Sequence, residues 1–154
     1  MGNPVDAPKP YQWIWKSCSL PKQKFFFWLL LQDRLNTRDL LKRKNFYIET
    51  SKCELCDDEP NEHLMHLFFS YDFSQNFWMN IGYQWNTDHN LIEMILEGRK
   101  QDTHGCVKEC LIAGCWSLWK HRNSIIFDNK VKNMTFCIAT FKEHFCMIIK
   151  KAKP

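Results

Sequence analysis

Residues 106–127 read CVKECLIAGCWSLWKHRNSIIF, the longest helical pattern in the chain. Leu111, Cys115, Leu118, Trp119 and Ile126 recur at helical spacing, and no proline interrupts them. The polar stretch GRKQDTHG at 98–105 precedes this pattern as a loop, and 128–133 follows it as a turn. Beyond the turn a second long helix is predicted over Thr135 to Lys151.

Working back toward the start, the same periodicity recurs in shorter pieces. Leu91–Glu97 reads as a helix capped by Asp88 or Asn90 and closed by Gly98. Ser74–Gly82 reads as another, with Gly82 as its C-terminal stop. Pro21 suits the first position of a helix over Lys22–Gln32, whose apolar side is Phe26, Leu29 and Leu30, widened by Trp28 and Leu31. Thr37 is placed to cap a basic helix, Arg38–Lys44. YQWIWKS at 11–17 fits either a helical turn or an extended segment, and 45–52 reads as a connector with a short extended piece at 46–48. Residues 1–10 hold three of the six prolines and read as a loose lead-in. Strand-like alternation is nearly absent. The expected fold is mainly α: a small helical domain with an irregular zinc-knuckle-like insert.

Composition agrees with a packed domain. The 154 residues are 45% hydrophobic and 15% aromatic, too apolar for a disordered chain. Five glycines are few for a turn-rich β sandwich. The net charge of +4 and pI near 8.6 are mildly basic, below the roughly 9 expected of a dedicated DNA binder. MGNPVDAPKP offers no apolar leader core, so an intracellular setting, nucleus or cytoplasm, is expected. There CxxC reads as metal or redox chemistry rather than a disulfide. FFFWLLL at 25–31 is far short of a bilayer span, so no membrane is expected. Asp6 stands where a myristoylation start wants Ser or Thr.

The chemistry-bearing stretch is CELCDDEPNEHLMHLFFSYDFS, residues 53–74. One tight turn between Cys53 and Cys56 can aim two sulfurs at one ion, and zinc favours four such sulfur or nitrogen donors. His66 lies ten residues past Cys56. His63 and His66 are three apart, which on a helix puts them on one face. A Cys53, Cys56, His63, His66 site is therefore chemically available. The bland alternative is a chance CxxC and a core histidine. Asp57, Asp58 and Glu59 read as a solvated loop tip, and the other six cysteines fall mostly on apolar helix faces.

Several motifs together resemble a known family. They are WIWKS at 13–17, PKQKFFFWLLLQDRLNTRDLLKRKN at 21–45, CELC at 53–56 and HLFFSYDFSQNFW at 66–78. In order and spacing they resemble the reverse-transcriptase zinc-binding domain of plant LINE-type (non-LTR) retroelement polyproteins. CWSLWKHRNSIIF at 115–127 resembles the segment that follows that domain. The resemblance implies zinc ligands at Cys53, Cys56 and His66. It implies a fourth, cysteine, where this chain has Tyr71; His63, at a place where the family offers no ligand, is the alternative fourth donor by its spacing alone. The resemblance divides the chain into the lead-in 1–10, the zinc-binding-like domain 11–85 and a helical C-terminal extension 86–154 packed on it.

No polymerase-type aspartate pair, hydrolase triad, phosphate loop or HExxH occurs, so the chain reads as a non-enzyme. The expected role is an accessory domain contacting RNA or single-stranded DNA. Lys22, Lys24, Arg34, Arg38, Lys42, Arg43 and Lys44 would meet phosphates, and Trp13, Trp15 and Phe46 would offer stacking faces. A reverse transcriptase in the parent polyprotein is the expected protein partner. The alternatives are a helical structural or protein-interaction module, or a functionless relic with a degenerate metal site.

Overall fold

The computed structural model describes residues 9–56, 61–102 and 105–152. Along the chain come α1 (Lys9–Lys16), α2 (Pro21–Leu31), α3 (Arg38–Arg43), a π-helical turn (His66–Ser70), α4 (Asp72–Asn80), α5 (Leu91–Lys100), α6 (Val107–Phe127) and α7 (Met134–Ala152). Among the described residues there is no strand, and one antiparallel bridge joins Lys52 to Asn61. The domain is mainly α. Among the described residues no helix is long and apolar enough to cross a membrane.

α6 is the spine. Its first half is buried on almost every side: Leu111, Ile112, Ala113, Cys115 and Leu118 are fully enclosed. α7, α2, the π-helical turn and α5 all pack on it. Gly114 permits a close approach here, because a Cβ would meet the Trp78 ring at 2.4 Å. Trp78 in turn stacks on Phe69 and donates its indole N–H to the Phe68 carbonyl at 2.7 Å. Phe26 meets Trp116 edge-on at 5.2 Å, tying α2 to α6. One apolar core runs from Trp13 and Ile14 in α1 to Cys137, Phe141 and Ile148 in α7.

Local signals place the shorter helices. Pro21 opens α2 after an extended Leu20. Thr37 Oγ1 accepts the Leu40 N–H at 3.1 Å and caps α3. Asn90, rather than Asp88, caps α5 by accepting the Glu93 N–H at 2.9 Å. The chain turns after α4 through Gly82 at φ +93°, a conformation glycine adopts freely.

Three expectations need correction, and one open alternative resolves. Gly98 does not end α5, which runs on to Lys100; a Cβ at Gly98 would strike Trp85 at 2.4 Å, so this glycine admits a ring rather than stopping a helix. YQWIWKS is helical, and α1 begins at Lys9, inside the expected lead-in; residues 1–8 lie outside the described residues. No strand forms at 46–48, where Phe46 and Tyr47 point outward instead of pairing. Trp13 is buried beside Phe27, with the Arg99 guanidinium over its ring, so it offers no stacking face.

Candidate metal centre

The knuckle is built by closing a loop at its base. The Glu62 N–H donates to the Ser51 carbonyl at 2.8 Å beside the Lys52–Asn61 bridge, so the strands of chain entering and leaving the loop run together. Within it, the Cys56 N–H reaches back to the Cys53 carbonyl at 3.3 Å, making the tight turn that CxxC promises. His66 opens the π-helical turn. The acidic run at 57–59 lies outside the described residues.

These pieces bring three donors together. The ligand atoms of Cys53, Cys56 and His66 all lie within 4.8 Å of one another, and all three residues are buried. Cys56 Sγ and His66 Nε2 approach to 2.5 Å. A tetrahedral zinc, with bonds of about 2.3 Å to sulfur and 2.0–2.1 Å to nitrogen, would spread that pair by about 1 Å. The donor set, two thiols and an imidazole around one point, suits zinc.

Protonation favours the imidazole. Burial lowers the His66 pKa, and neighbouring His63 lowers it further, so the ring is neutral with a lone pair to give. Cys53 is opposite: burial pushes its thiol up, against hydrogen bonds from the Leu55 backbone and the Cys56 side chain. A metal must therefore displace the Cys53 proton, which is how thiol sites couple affinity to pH.

His63 does not join the cluster. It is exposed, it precedes the first helical residue Leu64, and its Nδ1 accepts the His66 N–H at 3.4 Å. The face-sharing expected of residues three apart on a helix does not apply. Tyr71 lies against His66, ring centroids 4.3 Å apart, between the π-helical turn and α4.

A second device, unmarked in the sequence reading, fastens the knuckle. Fully buried Glu62 takes a bidentate bond from Arg122 of α6, at 2.9 Å to Nε and 2.5 Å to Nη2. It also accepts the Arg38 N–H at 2.8 Å, at the start of α3. Arg122 stacks over Trp119 at 4.6 Å. The signal was present: Arg122 follows Leu118 by four and Cys115 by seven, on the apolar face of α6, where a cation demands an acid partner.

The basic residues separate. Arg38 is turned inward, donating to the Lys52 carbonyl and pairing with Glu54 at 3.0 Å. Arg43 is exposed and bridges Asp33 and Asp39. Lys24 donates to the Trp15 carbonyl, and Lys22 sits over Trp116. Arg34, Lys42 and Lys44 are exposed, followed closely by Phe46 and Tyr47, 60% and 91% exposed.

No curated protein and no solved structure matches the chain. Residues 3–78 match the family described as zinc-binding in reverse transcriptase, a span that contains Cys53, Cys56 and His66 together. That span of the chain is a reverse-transcriptase zinc-binding domain.

Proposed function

We propose that this protein is a non-catalytic accessory module in which zinc on Cys53, Cys56 and His66 fixes the knuckle to the helical domain. The observation that carries it is the convergence of two thiols and a neutral imidazole on one buried point. Zinc content of protein purified without chelator tests it. About one ion per chain is expected, and none in a Cys53→Ala, Cys56→Ala double variant. Equal and negligible content in both overturns the reading and leaves a relic with a dead site.

The module would contact RNA or single-stranded DNA in a plant LINE-type parent, beside a reverse transcriptase, in the nucleus or cytoplasm. The exposed tip supports this: Lys42 and Lys44 stand next to the outward rings of Phe46 and Tyr47. Cations for phosphates and open rings for bases are the two parts a single-strand surface needs. Affinity for a single-stranded RNA should fall with salt at a log–log slope of about −0.7 per phosphate contact. Tyr47→Ala should weaken it by about 1–3 kcal/mol. A salt-independent affinity would rule out phosphate contact.

A second reading, docking onto protein, rests on Phe127, Val131 and Phe136, exposed at 73%, 82% and 58% around the α6–α7 turn. It predicts that Phe127→Ser abolishes association with the parent polymerase while leaving RNA affinity unchanged.

A further inference from the structure

The first turn of α2 begins Pro21, Lys22, Gln23, Lys24 and sets two cations on either side of an inward amide. Gln23 is wholly buried, and its Nε2 meets His144 Nδ1 of α7 at 3.5 Å. Lys22 hangs over the Trp116 ring of α6, 5.8 Å from its centroid, and Lys24 donates to the Trp15 carbonyl at 3.2 Å. More lysines reach this face along both long helices. Lys120 lies one turn beyond Trp116 on α6, and Lys151 lies two turns beyond His144 on α7, each on the face of the residue it follows. A short turn joins α6 to α7 and the two helices pack together, so Lys108 at the start of α6 comes to the same end as Lys151.

These charges are poorly answered. Burial lowers the Lys24 pKa, and Lys151 and Lys108 lower it further, against Cys18 and Glu109. Burial also lowers His144, with Lys120 and Lys22 adding to it against Glu143. Like charges gathered this closely repel. Among the described residues no ion pair joins Lys22, Lys24, Lys108, Lys120 or Lys151. From Lys108 to Lys120 the row covers about 18 Å of α6, at 1.5 Å per residue. A row of that length suits a chain of phosphates rather than a single one.

We propose that Lys22, Lys24, Lys108, Lys120 and Lys151 form a second phosphate track, which holds the same RNA or single-stranded DNA that the tip around Tyr47 engages. The inference rests on the strand-binding reading above and extends it to a separate face. Arg43, between Lys42 and Lys44 of the tip, pairs with Asp33 just past the far end of α2, while Lys22 stands at its start. The 11 residues of α2 hold the two patches about 16 Å apart. At about 3.4 Å per stacked nucleotide, one strand needs roughly five nucleotides to touch both. Phe25, 54% exposed beside Lys24 and stacked on Trp28, gives the track an open ring as well.

Two oligouridines separate the faces: one of about four nucleotides, too short to bridge them, and one of about sixteen, long enough for both. The native protein should bind the longer strand about a hundredfold more tightly, because the second contact forms at high effective concentration. Lys120→Gln with Lys151→Gln should remove most of that gain and lower the salt slope on the long strand by about 1.4, leaving the short strand's affinity, set by the tip, unchanged. Lys42→Gln with Lys44→Gln removes the same charge from the tip and should weaken both strands. All four positions are exposed, so both double variants should unfold in urea as the native protein does. A length gain that survives Lys120→Gln with Lys151→Gln overturns the inference. So does an equal loss on both strands, which is the mark of net charge alone. Capture of mixed phosphatidylcholine and phosphatidylserine vesicles through these lysines, with strand binding unmoved, would give the face to a membrane and overturn it too. If the native protein binds neither strand, the strand-binding reading itself falls. A short strand that binds through Tyr47 with no gain from length sinks only the second track, which keeps the two failures apart.

Discussion

Cys53 and Cys115 are both completely buried thiols, yet they belong to regions held together in different ways. Around Cys115, in the middle of α6, burial alone raises the thiol pKa, and no ionisable neighbour answers it. Around Cys53, a second thiol and an imidazole stand within 4.8 Å, and Arg122 pulls against the burial. Burial makes both inert as free thiols. Only the convergence of donors equips one of them to hold a metal. The same contrast extends outward. The α6 core is held by interlocked rings, whereas the knuckle is fastened by a buried ion pair and carries a donor triad fit to take a metal, both open to solution chemistry.

The strongest way to break the core side of this contrast is Trp78→Ala. It removes a buried ring packed on Gly114 and strands the Phe68 carbonyl, and should cost about 3–5 kcal/mol in urea unfolding. On the knuckle side, Arg122→Met leaves Glu62 buried without its cation. A loss of about 3 kcal/mol is expected, with zinc affinity falling too because the loop base loosens. Chelation should then cost about 2.7 kcal/mol if zinc had stood at a hundred times its Kd. Far-UV circular dichroism should remain helical throughout. Complete unfolding by chelator would erase the distinction between the regions.

Smaller effects sharpen it. Thr37→Ala should cost about 1 kcal/mol by uncapping α3, the helix that Glu62 ties down. The smallest concerns pH. Cys137, in the α6–α7 seam, has its thiol pushed by burial to about 12. A folded pKa above the unfolded one gives stability that is whole below the ordinary thiol range and drains away as pH rises toward 12. Between pH 8 and 9 the part lost through Cys137 should be about 0.7 kcal/mol, read as the difference in pH dependence between the native protein and a Cys137→Ala variant in denaturation at each pH. Thiol labelling at pH 8 should spare Cys115 and Cys137 and modify the exposed Cys146.

Much of the architecture was legible because it follows from short-range rules. Pro21, Thr37 and the long apolar pattern from Val107 place their helices with errors of one or two residues. CELC and the histidine ten residues on are legible for the same reason, since a tight turn and a short loop fix where donors can go. What sequence could not supply depends on distant side chains. Gly98 reads as a helix stop until Trp85 is seen lying on it. Glu62 looks like one more acid in a polar loop until Arg122, sixty residues away, is found against it. The spacing of His63 and His66 suggests a shared helix face, but the helix starts between them. Trp13 looks available for stacking until Phe27 and Arg99 enclose it.

The π-helical turn carries a last consequence, for insertions and deletions rather than substitutions. Over five residues it must send His66 toward the sulfurs and Phe68 and Phe69 into the core. Each residue of such a turn advances the chain by about a quarter of a rotation, so losing or gaining one between His66 and Tyr71 would swing one of those two sets out of phase with its target. Changes of side chain here can be absorbed by neighbours, but a change of length cannot. Between His66 and Tyr71, residue count is therefore itself a functional quantity, and single-residue deletions there should be the least tolerated edits in the knuckle.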